Sequence, residues 1–168
     1  MSVQLGIVLL ALLFASAQTV SKEPQPEAAI ETVRTFVKAI ETADVELMAT
    51  TFADDATVFM PGGGPTPQPE RRNGKPEVVE SFRGMFERIR KQAAGPQYAT
   101  IATHDLRTQV YDDIVIVTLH LRAVPAQPVT QAVSFPRRSF VLRRAAERWL
   151  IVHLHASNVQ LTPPEKGR

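Results

Sequence analysis

The chain has 168 residues, of which 44% are hydrophobic and 21% are charged, and its formal net charge is +2. This length and balance fit one globular domain with a hydrophobic core and exclude a largely disordered chain. Cysteine is absent, which excludes disulfides, a cysteine nucleophile and a thiolate metal site. Basic residues concentrate after residue 113, but no aromatic RNA-binding motif accompanies them, so no nucleic-acid partner is predicted.

The chain begins with an apolar run at residues 5–14, followed by Ala15-Ser16-Ala17 and a polar stretch. The run is too short to span a bilayer as a helix, and the small residues after it are typical of a cleavage site. We therefore predict a signal peptide over residues 1–17, a linker over 18–26, and a periplasmic or secreted mature protein without stable membrane association. An uncleaved anchor or a misplaced start codon is the alternative, because the first four residues carry no Lys or Arg.

Apolar periodicity predicts three helices. The first covers residues 27–42, with its apolar residues on one stripe. Asp44 is placed to cap a short second helix. The third helix begins near Gly74 and Pro76 and stops at residues 94–96, Ala-Gly-Pro.

The remaining patterns predict strands. A short strand at residues 57–60 precedes a loop at 61–72, whose glycines and prolines suit a rim or lid. Alternation then predicts strands over 98–110, 114–124 and 131–144, the last interrupted by Pro136 at an edge or bulge. The final strand follows a link, residues 145–148, without the glycine that a tight hairpin often carries. Strict alternation places these side chains of the final strand on one face: Trp149, Ile151, His153, His155 and Ser157.

Helices followed by long strands predict an α+β domain over residues 27–160, with the helices on one face of an antiparallel sheet. Residues 161–168 are predicted to form a flexible tail. No cofactor is predicted.

Three segments resemble a known family. The segment RRSFVLRRAAERWLIVHLHASN resembles the closing hairpin of the SnoaL-like branch of the nuclear-transport-factor-two-like superfamily, and is similar to the association domain of calcium/calmodulin-dependent kinase II. FVKAIETADVELMATTFADDATVFMPGG resembles the superfamily's first two helices and first strand, and NGKPEVVESFRGMF its third helix. The resemblance implies a cone, in which a curved antiparallel sheet wraps around the long N-terminal helix, with two further helices on the same face and a pocket inside. Because this fold hosts enzymes, binding proteins and assembly modules, the resemblance does not fix the function.

Ketosteroid isomerases share this fold. The resemblance places Met60 where they carry a catalytic Asp, and Phe36 where they carry an oxyanion-holding Tyr. Since Met cannot take a proton and Phe cannot donate one, we predict no ketosteroid isomerase activity. No residue matches the acid–base carboxylate of SnoaL-type aldol cyclases, and Asp54 and Asp55 are interpreted as structural turn residues.

The four histidines fall on predicted strands. His153 and His155 would be near enough to share a metal, but no third ligand lies near them in sequence, so no metal site is predicted. Two interpretations stay open: structural histidines with hydrogen-bond partners, or general acid–base groups in a pocket. On the second interpretation His153, His155 and His120 are the catalytic candidates.

Arg138 fits a recurring arginine before the closing hairpin in SnoaL-like and kinase-association relatives. A guanidinium in a half-apolar pocket requires an acidic partner or an anionic ligand, and a salt bridge at the rim is the alternative. We therefore predict a pocket for a small, partly hydrophobic, anionic molecule. Its predicted lining residues are Arg138, His153, His155, Phe36, Met60 and Phe86.

Two other functions stay open: a lyase, isomerase or hydrolase that uses a pocket histidine, and a ligand-free dimerisation or assembly module. A homodimer is predicted in each case, because the convex face of the sheet is left to cover and the strands carry apolar residues on both faces.

Overall fold

The computed structural model describes residues 26–61, 69–92, 98–124 and 134–160. These residues form helices α1 (Pro26–Thr42), α2 (Val45–Thr50) and α3 (Lys75–Gln92). They also form strands β1 (Phe52–Pro61), β2 (Pro69–Asn73), β3 (Thr100–Tyr111), β4 (Ile114–Val124), β5 (Ser134–Ala145) and β6 (Arg148–Gln160). The predicted signal peptide, nearly all of the linker, and the tail lie outside the described residues. Across the residues that are described, no helix is long and apolar enough to cross a membrane.

The two first helices begin and end as the sequence predicts. α1 buries its apolar stripe, and its end is closed by Ala43 at φ 50° with a hydrogen bond of 2.9 Å from the Asp44 amide to the Ala39 carbonyl. Asp44 then caps α2, since its carboxylate accepts from the Leu47 amide at 2.9 Å. The prediction for Asp44 is confirmed.

The six strands form one curved, unclosed sheet in the order β2-β1-β6-β5-β4-β3. Neighbouring strands are antiparallel except β1 and β6, which are parallel. The predicted α+β cone, with its sheet on one side of three helices, is confirmed. The single parallel contact is the departure from the predicted antiparallel sheet.

The region between α2 and α3 contains more strand than predicted. β1 begins at Phe52 rather than at residue 57, because Asp54 and Asp55 extend the strand instead of turning the chain. Asp54 lies 3.9 Å from Lys75, and Asp55 lies 2.9 Å from Arg143. Residues 69–72 of the predicted loop, with Asn73, form β2 on the edge of the sheet, Pro61 ends β1, and residues 62–68 lie outside the described residues.

The ends of β5 account for two sequence features. Pro136 lies one residue beyond the last pair between β4 and β5, so it removes no ladder bond on that side. At the other end Ala145 pairs with Arg148, and the two-residue turn between them is tight although it has no glycine. Ala146 adopts φ 54° there, a left-handed conformation that costs a non-glycine residue about 1 kcal/mol.

A β-bulge in β6 overturns the predicted alternation of the last strand. Leu142 pairs with Ile151 and Val141 pairs with His153, which leaves Val152 as an extra residue. Trp149 and Ile151 are therefore buried against the helices, whereas His153 and His155 point to the opposite face. The prediction that these four side chains share a face is wrong, because one inserted residue reverses the facing of every residue after it.

Five phenylalanines form the centre of the core. The Phe36 ring meets three others edge-on, with centroids 6.0, 5.7 and 5.1 Å from those of Phe52, Phe82 and Phe140. Phe86 extends the cluster, 6.0 Å from Phe82. Phe36 is 1% exposed and Phe86 is fully buried, so both predicted pocket walls are core residues with no accessible surface for a ligand.

Candidate functional site

The sheet has an inner face, which packs on the helices, and an outer face. In the described part of β1, β4, β5 and β6, Arg138 interrupts the apolar middle of the inner face, whereas Arg144, on the same face of β5, is exposed beside the β5–β6 turn. The inner-face residues around it are Ala56, Val58, Met60, Val115, Val117, Leu119, Leu121, Phe140, Leu142, Ile151, Leu154 and Ala156.

Strand register fixes the position of Arg138. It lies opposite Leu119 of β4 and Ala156 of β6, two residues along the strand from the buried Phe140. Phe59 of β1 lies opposite His155 in the parallel pair of β1 and β6, so the next residues, Met60 and Ala156, are neighbours across these two strands. The cross-strand row is therefore Leu119, Arg138, Ala156 and Met60. Arg138 is thus flanked by apolar side chains on both neighbouring strands.

Arg138 is half-buried and lacks an acidic partner among the described residues. Its Nη1 donates to the Arg137 carbonyl at 2.8 Å and lies 3.5 Å from the Ser157 carbonyl. Burial lowers the pKa of Arg138 to about 10, which leaves the guanidinium charged at neutral pH. A charge held in apolar surroundings without a counter-ion is costly and is usually retained for a reason other than stability.

The free donors of Arg138 remain accessible. The two carbonyl contacts use Nη1, while Nε and Nη2 have no protein partner in the described part of the chain. No side-chain nitrogen or oxygen of the described residues is both buried and unpaired, so these donors reach solvent. Their parallel N–H groups form the fork that binds a carboxylate through two hydrogen bonds.

Half-buried apolar side chains lie at the same end of the sheet as Arg138, away from the β5–β6 turn. Tyr98 and Ile101 are held there by Glu41 at the end of α1, whose carbonyl and carboxylate accept from their amides at 2.8 and 2.9 Å. Ile40 and Met60 are also partly buried against the core. We call this set of five, Ile40, Met60, Tyr98, Ile101 and Arg138, the mouth.

Two histidines occupy the outer face with an aromatic ring between them. The Thr57 hydroxyl and His153 Nδ1 share a hydrogen bond of 2.7 Å. The Phe59 ring centroid lies 5.8 Å from that of His153 and 6.2 Å from that of His155, and the Arg71 guanidinium lies over Phe59 at 5.8 Å. Burial, then the nearby charges of His155 and Arg71, lower the pKa of His153, so its neutral form is favoured.

The other two histidines also lie on the outer face. His104 of β3 pairs directly with His120 of β4, which in turn pairs with Arg137. All four histidines are therefore separated by the sheet from Arg138. The prediction that Arg138 and the histidines share one pocket is wrong, because the bulge at Val152 turns His153 and His155 to the outer face. The residue pattern shows neither the bulge nor its effect on which face each side chain occupies.

The described residues contain no cluster of three or more His, Cys, Asp or Glu side chains that could hold a metal ion. On the outer face, three neighbours of His153 and His155 could not be predicted from the sequence. Thr57 and Phe59 carry no functional signature, and Arg71 approaches only because the short strand β2 pairs with β1.

A surface cleft of about 730 Å³ lies elsewhere, between α2, the first half of β1 and the β5–β6 turn. Three ion pairs engage its charged lining, Lys75 with Asp54 at 3.9 Å, Arg143 with Asp55 at 2.9 Å and Glu46 with Arg83 at 3.7 Å, and Arg148 donates to the Thr50 carbonyl at 2.9 Å. Exposed ion pairs of this kind contribute little to stability. Arg148 has no acidic partner in the described part of the chain, but unlike Arg138 it is exposed to solvent and not held in apolar surroundings.

The fold and its sequence decide the family. A family model for the SnoaL-like domain matches residues 30–161. The chain belongs to the SnoaL-like family. A search of curated proteins finds no match.

Solved structures similar to this SnoaL-like chain carry several functional names. A calcium/calmodulin-dependent protein kinase type II association domain candidate from Thiobacillus denitrificans has 24% identity and a TM-score of 0.61, covering 82% of this chain and 97% of its own. A candidate dehydratase of the nuclear-transport-factor-two-like family from Streptomyces avermitilis has 20% identity and a TM-score of 0.63, with 80% and 96% covered.

A candidate ketosteroid isomerase from Shewanella frigidimarina has 21% identity and a TM-score of 0.59, covering 77% of this SnoaL-like chain and 94% of its own. At such identities these similarities show the fold alone, which agrees with the diversity of the names.

Proposed function

We propose that this SnoaL-like protein binds a small, partly hydrophobic carboxylic acid at the mouth, with Arg138 as the anion-recognising residue. The observation that carries the proposal is a half-buried, charged guanidinium on an apolar face, with free donors and no acidic partner among the described residues. A bound carboxylate would supply the missing counter-ion.

The surroundings favour a ligand with an apolar portion. Small-molecule sites are mostly apolar, with a few polar groups that fix orientation. Leu119, Ala156 and Met60 share the row of Arg138, and Tyr98 and Ile101 lie at the same end of the sheet. A short aliphatic or aromatic acid therefore suits this site better than a highly charged anion.

The enzymatic alternative has less support. The carboxylate nearest the mouth, Glu41, is engaged by the Ile101 amide at 2.9 Å and by Lys38 at 3.8 Å, and the histidines lie on the other side of the sheet. Phe36 is buried in the core, and Met60 cannot exchange a proton. We therefore propose binding rather than turnover.

Pairs of acids and their uncharged amides test the proposal. We expect hexanoate and phenylacetate to bind the protein at least tenfold more tightly than hexanamide and phenylacetamide, since a hydrogen bond to a charged group adds about 1.5 to 3 kcal/mol. Titration calorimetry on the whole panel measures this ratio. Equal affinity within each pair would show that the site does not recognise an anion.

We also propose that the protein acts outside the cytosol, because residues 5–17 have the pattern of a cleaved signal peptide. Expression of the full chain in a bacterial host should yield a periplasmic or secreted protein that begins at Gln18. N-terminal sequencing checks this, and a cytosolic chain that still begins at Met1 would contradict it.

The mature protein is further proposed to be a homodimer joined through the outer face. Three apolar side chains are partly exposed there, Phe59, Ile116 and Val141. A second sheet packed on this face would cover them. A hub domain from S. rosetta with 20% identity and a TM-score of 0.61 has a similar fold.

Light scattering at micromolar concentration should give twice the mass of one chain. Val141→Glu should give a monomer, whereas Lys38→Glu on the exposed side of α1 should leave the dimer intact. A monomeric wild-type protein would exclude the dimer.

A further inference from the structure

The outer face has a centre made of histidine and apolar side chains. His153 lies opposite Val141 and Thr57, and His155 lies opposite Ser139 and Phe59. We call these six residues, with Arg71, the histidine face. His153 is half-buried and His155 is exposed in the single chain, so a second molecule placed here would cover both imidazoles.

We propose that the histidine face is a proton-sensitive contact between two copies of the chain, closed while His153 and His155 are neutral and opened when they become protonated. This inference rests on the homodimer proposed above. Beyond that dimer, it makes association depend on pH through His153 and His155.

The charges around the histidine face offer nothing to balance an imidazolium. Basic side chains approach from four strands: Arg71 from β2, Arg137 and Arg143 from β5, Arg122 and His120 from β4, and Arg107 and His104 from β3. Two carboxylates occur among the described residues near this face, and both are engaged. Asp55 binds Arg143 at 2.9 Å, and Asp105 binds Arg107 at 2.8 Å.

The occupant that fits this face at neutral pH is a second copy of the same chain. With neutral histidines the centre is uncharged apart from Arg71, which lies over Phe59 and donates to Asn73 at 2.8 Å. Face-to-face packing of two such surfaces buries Phe59, Val141 and the neutral imidazoles, while the exposed Arg137, paired with Ser157, lies outside this centre. Binding of an acidic partner to this face would instead be favoured only after the histidines are protonated.

Protonation reverses this balance. A two-fold contact sets the pair from one copy against the pair from the other, so four new positive charges enter a desolvated interface. Burial already lowers the pKa of His153 in the single chain, and burial by a second copy acts in the same direction. The separated chains then bind more protons than the dimer does. Association is therefore complete while the imidazoles are neutral, and it is lost as the pH falls through the pKa of His153 in the separated chains, which burial holds below the ordinary imidazole value.

Sedimentation velocity at pH 7.5 and pH 5.5, in the same salt, tests the inference. We expect the dimer dissociation constant of the wild type to rise at least tenfold at the lower pH. The double variant His153→Gln, His155→Gln should remain dimeric, with less than a threefold change. His104→Gln, at the edge strand, should keep the wild-type response.

The outcomes separate the two proposals. A monomer at pH 7.5 would remove the dimer itself, and this inference with it. A wild-type dimer with the same dissociation constant at both pH values would overturn the proton-sensitive contact alone. A double variant that still dissociates at pH 5.5 would also overturn it, as would wild-type unfolding at pH 5.5, seen by far-ultraviolet circular dichroism, or a dimer released only when an acidic polypeptide is added.

Discussion

Replacing Phe36 by Ala should lower the free energy of unfolding by about 3 to 5 kcal/mol, the range found for large aromatic side chains removed from a packed core. Phe36 is 1% exposed, and three aromatic rings surround it with centroids within 6.0 Å. The ring cannot be removed without a cavity, because its neighbours are themselves held by α3 and by the sheet.

Chemical denaturation of the wild type, Phe36→Ala and Phe36→Leu measures this effect. Tyr111→Ala is the matched control, since Tyr111 is 57% exposed at the end of β3 and its loss should cost clearly less. A loss below about 1.5 kcal/mol in Phe36→Ala would indicate that the ring borders a space able to relax. Phe36 would then be a pocket wall, as its sequence position suggested, and its assignment to the core would be wrong.

Local patterns predicted the elements of this fold well. The stripe of α1, the Asp44 cap and the bounds of β4 each depend on side chains within a few residues of one another, and all three are confirmed. The family follows from longer motifs, and residues 30–161 match it. These features are encoded locally, so the sequence exposes them directly.

The candidate site was less predictable, because its geometry depends on pairing between strands. The bulge at Val152 is an extra residue relative to β5, and nothing in WLIVHLH marks it. It places His153 and His155 on the outer face and Ala156 on the inner face, opposite Arg138. Arg138 itself was found from its position before the hairpin, but its lack of an acidic partner among the described residues required the structure.

The second large effect concerns Arg138→Met. This change removes a half-buried charge and keeps most of the side-chain volume, so the free energy of unfolding should be unchanged or higher by about 1 to 2 kcal/mol. Binding of a small acid should fall at the same time. Denaturation and calorimetry on one preparation separate the two effects. A variant that unfolds much more easily than the wild type would show that Arg138 serves the structure.

The central claim is that Arg138 recognises an anion, and titration calorimetry on the wild type, Arg138→Ala and Arg138→Lys tests it most directly. The titrants are phenylacetate and phenylacetamide. We predict that Arg138→Ala loses about 1.5 to 3 kcal/mol of binding free energy for the acid, roughly 10- to 150-fold in affinity, with no change for the amide. Arg138→Lys should recover part of the loss, because an ammonium group lacks the planar fork of the guanidinium. An acid that binds the wild type and Arg138→Ala with equal affinity would contradict the claim.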